Sequence, residues 1–220
     1  MRFASRTGLK SGLFALALGG ICAFGMPTET SAQVTAFRQA VAEMASVNED
    51  VAKFYRENGY EALWTTDGEE SRLRRAALLR ALSEASAHGL PDQTAKADTL
   101  LAMMQQARTA RDFGKVEAAL SSAFVDYVDD LQTGLLKPSS IDDGMVRQKR
   151  DIDGAAILAG LRSAQPFAYL RNLVPNSPQY RALMREKLRL EQLSAAGGWG
   201  PKAPSRKMEP GDTGVGVVAL

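Results

Sequence analysis

Cysteine and histidine are nearly absent from this sequence, since each occurs once in 220 residues, as Cys22 and His88. One cysteine cannot form a disulfide within the chain. A structural zinc site takes about four ligands, most of them cysteine or histidine, so two such residues do not suffice. These absences exclude an intrachain disulfide framework and a Cys/His metal centre, and we expect neither a metal nor a cofactor.

An excess of charge of either sign is also missing. The formal net charge is +2, from 27 Lys and Arg residues against 25 Asp and Glu residues. Residues 1–32 carry that surplus with three basic residues and one acidic residue, which leaves the rest of the chain neutral. Nucleic-acid-binding domains display a basic patch or stripe, so we expect no nucleic-acid partner.

A long apolar run lies near the N-terminus, at Gly12–Gly25, between three basic residues and the small residues that end at Ala32. This order is typical of a secretory signal peptide. With about 14 residues, the run is shorter than the ~20 that a membrane-spanning helix needs. We predict that residues 1–32 are cleaved after Ala32, that Gln33 begins the mature chain, and that no stable membrane span remains. An uncleaved anchor and lipidation at Cys22 are the alternatives.

Apolar residues after the predicted signal recur at steps of three and four, the spacing of one helical face. No stretch shows the sustained alternation of a β-strand. We therefore predict an all-α fold, an irregular bundle of about six or seven helices. The predicted helices lie at about 34–55, 71–85, 94–109, 112–133, 153–161, 167–173 and 178–193.

The predicted helix boundaries depend on capping residues. Glycine is expected just after helices and short polar side chains just before them. The predicted stop signals are Gly59, Gly89, Gly134 and Gly197, and the predicted N-caps are Ser71, Asp153 and Ser177. The predicted core residues are Phe54, Leu79, Leu82, Phe124, Tyr127, Leu131, Tyr180 and Leu183.

Five stretches follow one another along the chain, and their order is more specific than any one of them. They are FYRENGYEALW, LLRALSEASAHGLPD, AFVDYVDDLQTGLLKP, LVPNSPQYRALMREKLRL and GGWGPKAPSRKMEPGD. Together they resemble the N-terminal scaffold region of large periplasmic murein L,D-transpeptidases. The resemblance spans about Phe54 to Asp212, which is most of the mature chain.

The resemblance implies a domain organisation. Such enzymes place a helical scaffold first, a peptidoglycan-binding-like module second and a catalytic domain with a cysteine nucleophile and a histidine base last. By this comparison, residues 33–196 form the scaffold domain. Residues 197–220 form a linker and the start of a truncated peptidoglycan-binding-like module, with a disordered tail from about Gly198. Gly214 and Gly216 depart from the pattern because glycine weakens a helix start.

The resemblance also implies what full-length relatives do: they cleave a tetrapeptide donor stem and form 3→3 cross-links in peptidoglycan. Acyl transfer of this kind needs a thiolate, a base beside it and donors for the oxyanion. The family signature, a cysteine just after His-Gly, is missing, because His88 and Gly89 match only its first two letters and Cys22 lies in the predicted signal. We therefore predict no catalytic residue in this chain.

The predicted function is that of a non-catalytic scaffold domain in a periplasmic protein of cell-wall biogenesis, truncated before the catalytic domain. Its expected partners are peptidoglycan or other cell-wall proteins. The alternative is a stand-alone periplasmic module that binds murein or another protein.

Paired carboxylates are a further possible source of chemistry, because glycosidases use two such groups. The pairs are Glu69-Glu70, Asp126 with Asp129-Asp130, and Asp142-Asp143. All of them fall on predicted polar helix faces or in turns, so we expect solvated charge there. We expect His88, at a predicted helix end, to bond terminal carbonyls or to lie on the surface.

Aromatic and basic residues suggest two possible contacts with a cell-wall polymer. Trp64, Tyr60, Tyr127 and Tyr180 are predicted to be core residues rather than platforms for sugar rings, whereas Trp199 is predicted to be exposed or to dock on the last helix. Residues 181–207 hold seven basic and two acidic residues. A solvated helix face is the favoured interpretation, with weak attraction to murein carboxylates as the alternative.

Overall fold

The computed structural model describes residues 29–136, 138–145, 150–200, 209–211 and 213–214. Within these ranges every regular element is helical, which confirms the predicted all-α fold. The α-helices are α1 (Glu29–Ala45), α2 (Glu49–Glu57), α3 (Glu69–Ser83), α4 (Thr94–Gln106), α5 (Ala110–Thr133), α6 (Gly154–Ser163), α7 (Pro166–Leu173) and α8 (Pro178–Ala195). Short 3-10 turns lie at Ala85–His88 and Pro138–Ser140.

The first predicted helix is wrong in one respect: the chain breaks between α1 and α2. Asn48 adopts an extended backbone, and its side-chain oxygen accepts a hydrogen bond from the N–H of Val51 at 3.1 Å. An asparagine that caps a helix in this way competes with continuation of the preceding helix. The apolar spacing runs through the break, but Val47 is 85% exposed instead of buried.

Helix α5 is the centre of the molecule. Thr109 and Asp112 form a capping box at its start, in which each side chain accepts a hydrogen bond from the other residue's N–H. The helix runs for 24 residues to Thr133, followed by Gly134 as its C-cap, close to its predicted bounds. Helices α1, α2, α3, α4 and α6 all pack against it, so its buried side chains form most of the shared core.

Helices α1 and α5 approach each other closely at Gly114. A Cβ atom at this position would lie 2.6 Å from the carbonyl oxygen of Phe37 and 2.8 Å from the Cβ of Ala40. Backbone atoms cannot move aside as the end of a flexible side chain can. Glycine is therefore required for this packing distance.

The N-cap of helix α3 lies three residues earlier than predicted, and Ser71 is not that cap. Gly68 occupies the cap position, while the buried Ser71 hydroxyl donates to the carbonyl oxygen of Leu63 at 3.0 Å. The apolar spacing predicts Ala76 inward together with Leu79 and Leu82, whereas Ala77 and Leu78 are buried and Ala76 is exposed. Leu82 is fully buried, as predicted.

Most of the predicted core is confirmed. The buried members are Phe54, Leu82, Phe124, Tyr127 and Leu131. Leu79 packs on the core but is only partly buried. Two residues of α8 are different: Tyr180 is half-buried and Leu183 is 70% exposed.

Helix α8 begins as predicted, with Ser177 accepting from the N–H of Tyr180 at 3.1 Å and Pro178 in the first turn. It contains no buried residue. Tyr180, Leu183, Met184 and Leu188 follow the spacing of one apolar helical face, but no other described helix packs closely against α8. The predicted burial of Leu183 is therefore wrong because nothing in the described part of the chain covers its side chain on that face.

Both predicted terminal segments lie largely outside the described residues. Of the predicted signal, only residues 29–32 are described, and they form the first turn of α1. Most of the predicted disordered tail from Gly198 is likewise not described. None of the helices in the described ranges is both long and apolar enough to cross a membrane.

Candidate functional site

A fully buried carboxylate, Glu117 of α5, organises the connection between α2 and α3. Its Oε1 atom accepts hydrogen bonds from the Tyr55 hydroxyl at 2.7 Å and from the N–H groups of Leu63 at 2.5 Å and Trp64 at 3.1 Å. Its Oε2 atom accepts from the N–H of Thr65 at 3.0 Å and from the Thr65 hydroxyl at 2.8 Å. One side chain therefore fixes three consecutive residues of a segment that has no regular structure.

Ser121, one helical turn after Glu117, extends this network. Its hydroxyl lies 2.7 Å from the Tyr55 hydroxyl and accepts from the indole N–H of Trp64 at 2.8 Å. The Trp64 ring packs edge-on against Phe124, with 5.9 Å between ring centroids. We call Tyr55, the segment 63–65, Glu117 and Ser121 the Glu117 cluster.

Electrostatics in the Glu117 cluster favours a structural role. Burial raises the pKa of Glu117, while the hydrogen bonds from Leu63, Tyr55 and Thr65 oppose that rise. Burial and the neighbouring Glu117 charge hold the pKa of Tyr55 well above its usual value, so the phenol remains a donor. A carboxylate surrounded by protein donors holds a loop in place and is not free to serve a substrate.

The carbonyl groups of the same segment are held from the other side by α3. Arg74 is only 6% exposed, and its guanidinium donates to the carbonyl oxygens of Leu63 at 3.1 Å and Arg162 at 2.8 Å. Arg75 donates to the carbonyl oxygen of Trp64. Arg74 thereby connects the α2–α3 segment to the end of α6.

Sequence reasoning did not single out Glu117 or Arg74. A signal exists, because Glu117 is a charged residue on the apolar face of α5 that also carries Leu120 and Phe124. A charge at such a position needs buried partners. Those partners, however, are backbone N–H groups more than fifty residues earlier, and no periodicity predicts that contact.

A groove lies between α3 and α7 and has a volume of about 350 Å³. Small and apolar side chains form its inner surface: Ala77, Ala81, Tyr127, Leu170 and Val174. Longer side chains complete the lining, namely the polar Arg80, Glu84, His88 and Arg171 and the apolar Phe167. We call this the α3–α7 groove.

His88 joins the α3–α7 groove to α8. Its Nδ1 atom lies 2.8 Å from the Tyr180 hydroxyl, and the two rings stack with centroids 6.5 Å apart. The ring is half-buried and bonds a side chain of another helix instead of the terminal carbonyls of its own turn. Burial lowers the pKa of His88, and the nearby Lys187 adds to this while Glu84 opposes it. Burial also raises the pKa of Tyr127 to about 12.

The acidic residues considered as carboxylate pairs bond to separate partners. Glu69 pairs with Arg72, Glu70 with Arg74 at 2.8 Å, and Asp126 with Lys96 at 3.2 Å. Asp129 accepts from the Thr133 hydroxyl at 3.1 Å, and Asp142 accepts from the Gly144 N–H at 2.8 Å. In the part of the chain that the structure describes, His, Cys, Asp and Glu form no group that would hold a metal ion.

The aromatic residues divide between the core and the surface. Trp64 and Tyr127 are buried, Tyr60 is partly buried, and Trp199 is 77% exposed. The basic segment 181–207 is described only up to residue 200. Within that part, the partly buried Lys187 pairs with Glu191, and Arg189 pairs with Glu186 in an exposed ion pair, which agrees with a solvated face.

Comparison with known proteins identifies the family. The family model described as "Scaffold domain" matches residues 49–186, more than half of the chain. The matched range runs from α2 into α8 and includes the Glu117 cluster and the α3–α7 groove. No curated protein and no solved structure matches the chain. The match agrees with the resemblance to the scaffold region of L,D-transpeptidase-type proteins, and the chain belongs to the Scaffold domain family.

Proposed function

We propose that this chain is the non-catalytic scaffold module of an L,D-transpeptidase-type protein that acts in peptidoglycan cross-linking. The observation that carries the proposal is the Scaffold domain match over residues 49–186. The five stretches that resemble the N-terminal region of L,D-transpeptidases supply the finer assignment. The proposed partners are peptidoglycan and other cell-wall proteins.

The Glu117 cluster supports a mechanical role. A scaffold must present fixed surfaces to its neighbours, and irregular segments are normally the mobile parts of a domain. Here Glu117 and Arg74 bind the N–H and carbonyl groups of segment 63–65 from opposite sides. The segment then moves only if the packing of α5 also gives way.

We further propose that the protein is exported to the periplasm and loses its signal after Ala32. Ala32 lies in the first turn of α1, so the mature helix would begin at Gln33. N-terminal sequencing of the periplasmic form tests this point. A membrane-retained chain that begins at Met1 or is lipidated at Cys22 would contradict it.

A chimeric enzyme tests the scaffold function. Residues 33–200 are placed ahead of the peptidoglycan-binding-like module and catalytic domain of an L,D-transpeptidase, and 3→3 cross-links are measured by mass spectrometry of muropeptides. We expect the scaffold alone to make none and the chimera to make them. Glu117→Ala in the chimera should reduce cross-linking, because it disrupts the scaffold, whereas the exposed control Arg185→Gln should not.

One result would contradict the scaffold proposal: equal cross-linking by the catalytic part with and without residues 33–200. If residues 33–200 alone also co-sedimented tightly with purified sacculi in that case, the two results together would favour a stand-alone murein-binding module.

A further inference from the structure

We propose that the α3–α7 groove is a binding site for a short peptide that carries a carboxylate next to an apolar side chain. This inference concerns a ligand of the groove itself and goes beyond the scaffold function, on which it does not depend. Its basis is the juxtaposition of one unpaired guanidinium, one exposed aromatic ring and an apolar floor.

Charge is the first observation. Two arginines and one glutamate line the groove, and Arg80 pairs with Glu84 at 2.9 Å. Arg171 is exposed, and among the described residues its side chain forms no ion pair. His88 is neutral near pH 7 because burial lowers its pKa. One positive charge therefore remains to be balanced, and a carboxylate fits a guanidinium through two parallel hydrogen bonds.

The apolar surface is the second observation. Phe167 is 41% exposed, although large aromatic rings are usually buried. Phe167 and Arg171 are four positions apart on α7, so they lie side by side on one face of the helix. The floor beside them is formed by Ala77, Ala81 and Leu170. A ligand that matches this surface bears an apolar side chain close to its carboxylate, as neighbouring residues of a peptide do.

The dimensions favour a short peptide over a folded partner. A volume of about 350 Å³ lies at the lower end of the ~300–1,000 Å³ typical of small-ligand sites. A stable protein interface buries about 1,600 Å² in total, far more than a groove of this size offers. A phosphate group carries a charge of about −1.5 to −2 near pH 7, so one unpaired guanidinium balances a carboxylate but not a phosphate.

Titration of the isotope-labelled protein, followed by NMR, tests the proposal. The probes are N-acetyl-Leu-Ala with a free carboxylate and the same dipeptide as its amide. Because a hydrogen bond to a charged group contributes about 1.5–3 kcal/mol, we expect the acid to bind at least about 10-fold more tightly than the amide. The shifted resonances should belong to α3, α7 and His88.

Two variants identify the residues responsible. Arg171→Gln should abolish the preference for the acid, and Phe167→Ala should weaken both probes. Arg185→Gln is the matched control, since Arg185 is an exposed helical arginine outside the groove, and it should preserve the preference. All three positions are exposed, so the variants should remain folded.

A third probe, N-acetyl-Leu-Asp-amide, distinguishes the source of the carboxylate. Binding equal to that of the free acid shows that an acidic side chain serves as well as a chain terminus, and binding equal to that of the amide shows that the groove requires a chain terminus. Equal affinity for acid and amide in the unmodified protein would overturn the proposal, as would a preference that survives Arg171→Gln. Concentration-dependent dimers that disappear in Phe167→Ala would assign the groove to a second copy of the chain and would also overturn it.

Discussion

Glu117 carries a carboxylate that is costly to bury, and many hydrogen bonds offset that cost. Burying a carboxylate is expensive unless it is fully hydrogen-bonded, and five donor groups meet this one. The same donors would be left unsatisfied if the acceptor were lost. Loss of the acceptor would therefore cost more than the hydrogen bonds contribute, because each donor would remain buried without a partner and its desolvation would be uncompensated.

Glu117→Gln therefore should lower the free energy of unfolding by about 2–5 kcal/mol. The new amide NH2 group would face N–H donors in place of an acceptor oxygen. Glu57→Gln, on an exposed site of α2, is the control and should change stability by less than about 0.5 kcal/mol. Urea denaturation measures both. A Glu117 variant as stable as the control would mean that the cluster does not hold the loop.

His88 makes the stability of the fold depend on pH, and the direction of that dependence follows from the burial of its ring. Its pKa is lowered in the folded state, so folding favours the neutral ring. The stabilising contribution is fully present above the unfolded pKa of about 6.5 and is lost as the pH falls through the folded pKa. Because His88 is the only histidine, one imidazole signal in an NMR titration reports it.

We expect that titration midpoint below 6.5, and we expect His88→Asn to flatten the loss of stability in the same acidic range. Tyr180→Phe removes the hydroxyl partner but leaves the ring covered, so the midpoint should remain below 6.5. A midpoint at or above 6.5 in the unmodified protein would show that solvent reaches the ring freely.

At the scale of helices, the sequence predicts where a helix forms better than it predicts which side of that helix is buried. Long periodic segments such as α5 are found at almost their predicted bounds because apolar spacing and capping residues agree there. The break at Asn48 is not predicted, since the apolar period continues through it. The buried face of α3 is also wrongly predicted, because two polar residues lie on it. Ser71 and Arg74 are buried where their side chains donate hydrogen bonds to the carbonyl oxygen of Leu63.

Gly114→Ala should destabilise the packing of α1 on α5. In an ordinary helix interior this change would stabilise by about 0.5–1 kcal/mol. Here the new methyl group would meet the backbone of Phe37, so we expect a net loss of about 1–3 kcal/mol. Gly68→Ala is the control, because its Cβ would lie at an ordinary 3.5 Å from the Thr66 hydroxyl oxygen. Thermal unfolding that ranks Gly114→Ala as stable as Gly68→Ala would contradict the close approach.

At the scale of the whole molecule, the sequence predicts the fold class but not how the helices pack against one another. Composition and periodicity are sufficient to exclude a disulfide framework and to predict helices. They do not specify which helices meet, because that depends on contacts such as Glu117 with segment 63–65 and Gly114 with Phe37. The α3–α7 groove was not predicted for the same reason, as its residues come from four separate elements.

Helix α8 lies at the periphery of the molecule and has no buried residue. The helix has good caps and many charged residues, and no other described helix packs closely against it, so it forms without contributing to the core. Its described contact with the groove region is the Tyr180–His88 pair. The core of the domain consequently depends on α1 to α7, with α5 at its centre.

The central claim is that Glu117 makes an irregular segment part of the rigid scaffold, and native-state hydrogen exchange of the N–H groups of Leu63, Trp64 and Thr65 tests it most directly. These amides donate to the buried carboxylate, so they should open only when the whole domain unfolds. We expect their opening free energies to equal those of core amides in α5, such as Leu120. Exchange orders of magnitude faster than in α5, at the rates of an open loop, would contradict the claim.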